Sequence, residues 1–301
     1  MSDPSRIGRA LLLSLLTLLI LSFKSSAKEP IQVTVGKRTL TLSGPYTHQN
    51  LTVFLLHGKD QTRDSYLTLD EGLKKKIVSI TEQKQQRVQA LTIKNKSKQH
   101  LFVQEGERLS GGKQDRVVVT SLVIPPQSGP MSLPTLCIEQ SRWREGNRGA
   151  SFGYTRNPIL ASQSVRLAGK VIPNRRGQLA VWQSVKDLKS QAQQKIRAPS
   201  SNSSLNETLD SMQVRILCKL CSVHLCTILE KHKDAIGTAI AVNGAIEEVN
   251  LYPNADLLQK FFPRLVQSYA VQSALCKKEA KDKKTTEVTA QQVKQFMLEM
   301  K

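Results

Sequence analysis

Gly106 to Arg116 reads GERLSGGKQDR and lies between the apolar runs HLFVQ and VVVTSLVI. The residue types suit an anion grip. Gly111 and Gly112 allow close backbone approach, Lys113 and Arg116 supply positive donors, and Gln114 offers an adaptable amide. A Walker-type phosphate loop needs a glycine, four residues, then Gly-Lys-Ser/Thr opening a helix. Here Gly112 occupies the lysine position, Gln114 replaces the hydroxyl and a strand follows, so that reading fails. Two readings stay open: a ligand loop, or a glycine hairpin in which Arg116 pairs with Glu107 across the strands.

The second polar group is CIEQSRW, Cys137 to Trp143. It begins as a strand and leaves in a glycine-rich segment, which puts Glu139, Arg142 and Trp143 at or near a strand end. Trp143 can stack on a base or a sugar while Arg142 holds an anion; it can equally cap the core while Arg142 pairs with Glu139. If Glu107 and Glu139 come together, they make a carboxylate pair suited to acid–base work. The candidate catalytic residues are therefore Glu107 and Glu139, and the candidate ligand-binding residues are Gly112, Lys113, Gln114, Arg116, Arg142 and Trp143.

Other constellations carry less. The five histidines, His48, His57, His100, His224 and His232, show no metal-ligand spacing. His57 in FLLHGKD bears a superficial likeness to the oxyanion loop of an α/β-hydrolase, but no Gly-x-Ser-x-Gly elbow accompanies it. In CKLCSVHLC, Cys218, Cys221, His224 and Cys226 could ligate a metal. The surrounding apolar residues recur at helical spacing, however, and favour small core residues of a helix. No metal and no cofactor is expected. Five cysteines are an odd number, so in an oxidising compartment one stays unpaired within the chain.

The elements that position these groups read as α+β. From Ile31 to Glu139 short β-branched runs dominate: IQVTV, RTLTL, LTVFLL, KIVSI, VQALTI, HLFVQ, RVVVTSLVI and TLCIE. One helix interrupts them at YLTLDEGLKKK, with Thr68 or Asp70 as its cap. A long loop is expected over 144–157, within RWREGNRGASFGYTRNP. Helices are expected at Pro158 to Val171, Leu179 to Ile196 and Leu205 to Lys231. GTAIAVNGAIEEVNLY then reads as a hairpin, because Asn243-Gly244 supplies the two positive-φ positions of a type I′ turn. Two helical runs follow, ADLLQKFF and PRLVQSYAVQSALC. The organisation expected is a leader over 1–27, a single α+β domain over 28–276, and a lysine-rich linker with a short C-terminal helix over 277–301.

Arg6 and Arg9 precede ALLLSLLTLLILSF, and Ser25-Ser26-Ala27 offers small residues for a signal peptidase. The apolar stretch is short for a spanning helix of roughly 20 residues. A secreted or periplasmic protein cleaved after Ala27 is the expectation, with an uncleaved N-terminal anchor as the alternative; no further span is read downstream. The formal net charge is +20. Removing Arg6, Arg9, Lys24 and Asp3 with the leader turns 44 basic and 24 acidic residues into 41 and 23, or +18. Such an excess favours an anionic partner. With 5% aromatic residues the stacking platforms of single-strand binders are poorly supplied, which disfavours nucleic acid.

In this order, YLTLDEGL, GERLSGGKQDRVV, CIEQSRW, GTAIAVNGAIEEVNLY and FFPRLVQSYA resemble the ARG and rhodanese-phosphatase-superfamily-associated protein domain, over roughly Gln49 to Cys276. The resemblance implies a context of ADP-ribose or nucleotide chemistry. It maps motif positions onto Glu71, Gly106, Glu107, Leu109, Gly112, Lys113, Gln114, Arg116, Glu139, Arg142 and Trp143. Two departures stand out: a glycine directly before the lysine, and a leader that moves the chain away from cytosolic NAD metabolism. The reading this leaves is an exported domain that binds an anionic small molecule, of nucleotide or ADP-ribose kind. Its alternatives are a hydrolase using Glu107 or Glu139 as general base in the same cleft, and a structural or partner-binding module.

Overall fold

The structure is a computed structural model and describes residues 30–83, 89–141, 151–171, 174–200, 203–276 and 287–300. The leader expected over 1–27, Arg142 and Trp143, and the lysine-rich stretch 277–286 lie outside the described residues.

The strands are β1 (Gln32–Val35), β2 (Arg38–His48), β3 (Leu51–His57), β4 (Leu67–Thr68), β5 (Val78–Glu82), β6 (Ala90–Asn95) and β7 (Leu101–Val103). Then follow β8 (Arg108–Gly111), β9 (Arg116–Val118), β10 (Leu122–Ile124), β11 (Met131–Cys137), β12 (Ser151–Tyr154), β13 (Ala235–Val242) and β14 (Ala245–Leu251). The helices are α1 (Leu69–Lys74), α2 (Gln163–Val171), α3 (Asn174–Ile196), α4 (Leu205–Leu209), α5 (Met212–Leu225), α6 (Ala255–Leu275) and α7 (Ala290–Glu299), with a 3-10 segment at Cys226–Lys231. The fold is α+β with a sheet-rich N-terminal half, as the apolar alternation predicts.

Three sheets carry the strands. A five-stranded antiparallel sheet has the order β1-β2-β3-β13-β14, a small one the order β10-β7-β4, and β11-β6-β5-β12-β8-β9 close into a barrel. The C-terminal half is therefore not a separate helical layer. Its hairpin, with Asn243 at φ +51 and Gly244 at φ +80, is hydrogen-bonded through β13 to β3 and completes the N-terminal sheet.

Helices cover both faces of the large sheet and the outside of the barrel. Inside the barrel, Ile80, Leu91, Ile93, Leu109, Val118 and Leu133 are fully buried. α5 and α6 cover one face of the large sheet, where Phe261, Phe262 and Leu265 meet Val53, Leu55 and Ile240. α7 covers the other face, its Val293 and Met297 packing with Leu40, Phe54 and Ile236. α3 closes the outside of the barrel through Val181 and Val185, beside Val117 and Leu136.

Several expected boundaries shift for physical reasons. No helix starts at Pro158, because the carbonyls of Asn157 and Ile159 accept from buried Arg108 at 2.6 and 3.1 Å. The amides of Leu160 and Ala161 likewise donate to Ser268 Oγ and to the Gly106 carbonyl. With their backbone groups so committed, the chain turns helical only at Gln163. The run from Leu205 to Lys231 breaks at Ser211, whose hydroxyl caps α5 on the Val214 amide. The two runs around Phe262 form one helix, α6, with Pro263 inside it. The carbonyl that Pro263 cannot serve belongs to Gln259, an exposed residue with access to water. Part of the expected loop over 144–157 is β12, held between β5 and β8 with Phe152 buried.

Cys218 and Cys221 face the core from α5, while Met212, Ile216, Leu220 and Val223 on its other face are half exposed or more. By length and composition alone, Met212–Lys231 is apolar enough to cross a membrane, where the sequence reading found no further span. The five cysteines are free thiols; Cys137, Cys218 and Cys221 are buried, Cys226 half-buried and Cys276 exposed.

Candidate functional site

The two glycines of the loop are explained by β12. Gly111 sits at φ +117 and Gly112 at φ +57. A Cβ on Gly112 would lie 2.0 Å from the Phe152 ring, and one on Gly111 would lie 2.7 Å from the Ser151 carbonyl oxygen. Gly112 N–H in turn donates to that carbonyl at 2.9 Å. The close approach that the glycines permit is to a neighbouring strand.

Beyond them the loop meets CIEQ, as the reading of a shared location requires. Gln114 Nε2 donates to the Glu139 carbonyl at 2.8 Å, and the Asp115 amide donates to Glu139 Oε2 at 3.1 Å. Asp115 accepts from the Gly111 amide at 3.0 Å and from Ser204 Oγ at 2.6 Å. Burial pushes the Cys137 thiol up to about 12, against the pull of Arg116, so it stays protonated and donates to Gln114 Oε1 at 3.0 Å. From α3, Gln178 holds both the amide and the carbonyl of Cys137 at 2.8 Å.

Arg116 is only 1% exposed. It donates to the Gln114 carbonyl at 2.7 Å and to Glu82 Oε1 at 3.4 Å. The Arg116–Glu107 pair of the hairpin reading does not form; β5 brings Glu82 to the arginine instead. Glu82 Oε1 also accepts from the Lys113 amide at 3.0 Å. Gln114, Asp115, Arg116 and Glu139 are all buried, and these contacts run within the protein.

Glu107 belongs to a different cluster. α1 begins in a capping box: the Glu71 amide donates to Thr68 Oγ1 and the Thr68 amide to Glu71 Oε2. That fixes Thr68 as the cap and places Asp70 in the first turn. Asp70 Oδ2 lies 3.3 Å from Arg264 Nη2 of α6 and 2.7 Å from Lys74 Nζ. Arg264 Nη1 donates to Glu107 Oε1 at 2.8 Å, and the Gln104 amide donates to Glu107 Oε2 at 2.8 Å. Segments from YLTLDEGL, GERL and FFPRL thus converge on one point.

Asp70, Leu73, Glu107, Arg108, Tyr154 and Arg264 line a narrow cleft with about 20 Å³ of free space, enough for about one water molecule. Burial raises the Glu107 carboxyl from 4.5 to about 7; Arg264 and the Gln104 amide oppose the rise, and Asp70 adds to it. The carboxyl beside Glu107 is therefore Asp70. Glu139 is not among the residues lining the cleft, so only one of the two candidate bases sits there. At the rim, Tyr154 is 48% exposed, with the Lys74 ammonium 5.1 Å from its ring centre.

Sequence reasoning missed Asp70, Arg264 and Tyr154. The acidic first turn of α1 flagged Asp70 only as a helix signal, and Arg264 lies 157 residues from its partner. No curated protein and no solved structure is significantly similar to the chain. The family model described as ARG and Rhodanese-Phosphatase-superfamily-associated Protein domain matches residues 39–301, most of the chain, and the protein belongs to that family.

Proposed function

We propose that the domain acts on an anionic small molecule of the nucleotide or ADP-ribose class at the cleft over Glu107, as a hydrolase with Glu107 for its general base. The observation that carries this reading is a buried carboxyl, raised to about 7, in a cleft beside Arg264 and Asp70. Such a group is half ionised near neutrality, so it can take a proton from water and return one to a leaving group. The free space suits the water; the substrate lies over the rim, its anion toward Lys74 and Arg264 and a ring on the exposed face of Tyr154. The basic balance of the chain, and the ADP-ribose or nucleotide context that the family resemblance implies, favour the same ligand class. The leader over 1–27 directs the domain out of the cytoplasm, which fractionation of the expressed chain would check.

For Gly111 to Arg116 and Glu139, the partners favour a second role, a polar clasp that ties β8 and β9 to β11 and α4. Lys113, Gln114 and Arg116 then support the cleft from a distance.

The experiment is a thermal-shift and turnover panel of ADP-ribose, NAD, nucleotides and sugar phosphates, run on the wild-type chain and on Glu107→Gln, Arg264→Lys and Lys113→Ala. A ligand at a hundredfold excess over its Kd stabilises by about 2.7 kcal/mol. Glu107→Gln should keep the shift and lose turnover, and Arg264→Lys should lose the shift. A shift that survives Arg264→Lys and vanishes in Lys113→Ala would return the site to the loop.

A further inference from the structure

A second constellation lies on the five-stranded sheet, where β2, β3 and β13 are neighbours. Ser43 Oγ is 2.7 Å from His57 Nε2, and His57 Nδ1 is 3.0 Å from Asp234 Oδ1. Tyr46 Oη lies 3.2 Å from Ser43 Oγ and 2.8 Å from His232 Nε2.

The backbone explains the convergence. His57 faces Thr41 on β2 and Ala235 on β13, which places it beside Ser43, two residues along β2, and beside Asp234, one residue before β13. Between Ser43 and Tyr46 the β2–β3 register shifts, with Gly44 at φ +111. A Cβ there would come within 3.0 Å of the Val53 carbonyl oxygen. The irregularity brings Tyr46 back over the Ser43 hydroxyl, a use of bulges common beside reactive groups.

The protons can be placed without conflict. His57 Nδ1–H donates to the Asp234 carboxylate, which leaves Nε2 as an acceptor for the Ser43 hydroxyl. Ser43 Oγ accepts from Tyr46, and Tyr46 Oη accepts from His232 Nε2. The serine oxygen is therefore polarised toward a base that a carboxylate orients, the arrangement that activates a serine nucleophile.

We propose that Ser43, His57 and Asp234 form a nucleophilic relay that cleaves small carboxylic esters by acyl transfer, with Tyr46 as the oxyanion donor. Ser43 Oγ bonds to the ester carbonyl carbon, its proton passes to His57 Nε2, and the carbonyl electron pair moves onto oxygen, where the Tyr46 hydroxyl meets it. Collapse of that intermediate breaks the bond to the alkoxide, which leaves with the His57 proton. Water, deprotonated by His57, then adds to the acyl carbon; the bond to Ser43 breaks, and Ser43 recovers the proton. The Asp234 side chain is 71% exposed, the His57 side chain 13%, and Ser43 is half-buried, so the relay lies near the surface. This site shares no residue with the Glu107 cleft and does not rest on it.

The test treats the purified full chain with a fluorophosphonate, whose phosphorus bonds to an activated serine as fluoride leaves, and follows p-nitrophenyl acetate hydrolysis in parallel. One adduct per chain is expected, located on Ser43 by peptide mass spectrometry. Ser43→Ala should lose the adduct, and Ser43→Ala and His57→Gln should each lose about 100-fold or more in turnover. Asp234→Asn should slow labelling with an unchanged thermal midpoint, because an exposed carboxylate that orients His57 holds little of the fold. An unlabelled Ser43 in the folded wild-type chain, or wild-type turnover in Ser43→Ala, would overturn the proposal.

Discussion

Glu107 makes the stability of the domain depend on pH in a direction opposite to that of most carboxylates. Its carboxyl rises from 4.5 to about 7 on folding, first because burial penalises the charge. Between those two values the folded state holds a proton that the unfolded state has released, so stability falls as pH increases. The contribution is fully present below pH 4.5 and is gone once pH passes about 7. Carrying the carboxyl that far amounts to about 3 kcal/mol, at 1.36 kcal/mol for each tenfold change in proton affinity.

Glu107→Gln removes the titration and keeps an acceptor for Arg264 Nη1, while Asp70 still faces Nη2. Urea unfolding of both proteins from pH 4.5 to 8, extrapolated to water, should show the wild type losing about 3 kcal/mol relative to the variant across that range. Most of the loss should fall between pH 5 and 7. Parallel curves would mean that the Arg264 ion pair outweighs burial and holds Glu107 ionised throughout, which would also remove the basis for assigning it as a general base.

Two further outcomes test the clasp. Gly112→Ala should cost about 2–4 kcal/mol in urea unfolding, from the positive φ and from the Cβ driven into Phe152; an unchanged midpoint would mean that β12 does not pack on the loop. Iodoacetamide at pH 8 should modify exposed Cys276 first and leave Cys137, pushed up to about 12 by burial, unmodified until the chain unfolds. Peptide mass spectrometry reads both sites, and early modification of Cys137 would contradict its hydrogen bond to Gln114.

What could be read from the sequence was local. The Asn243-Gly244 turn, a cap at Thr68 or Asp70 and the strand alternation of the first half depend on neighbours a few residues apart; the turn appears where the pattern puts it, and of the two cap candidates it is Thr68. The meeting of Gln114 with Glu139 follows from one antiparallel pair, since Gln114 leads into β9 and Glu139 leaves β11 beside it. Three features depended on distant partners. Arg116 pairs with Glu82 because the barrel closes β5 against β12 and β8, and closure leaves no periodic trace. The stretch from Pro158 to Ala161 looked helical, but Arg108, Ser268 and Gly106 take the backbone groups of Asn157 to Ala161. The Ser43–His57–Asp234 line was hidden for the same reason, since its members come from β2, β3 and the turn before β13 and no spacing links them.

The placement of β13 beside β3 bears on how the chain is made. As synthesis proceeds, β3 emerges with one edge paired to β2 and the other open until residues 235–242 arrive. For that interval Phe54, Leu55 and Leu56, fully buried in the finished protein, sit on a strand with an unfilled edge, the kind of edge that recruits other chains. The large sheet of a nascent N-terminal half is thus incomplete until β13 is made. Fragments ending before Ala235 should collect as inclusion bodies, and refolding of the whole chain should be paced by this late, long-range pairing.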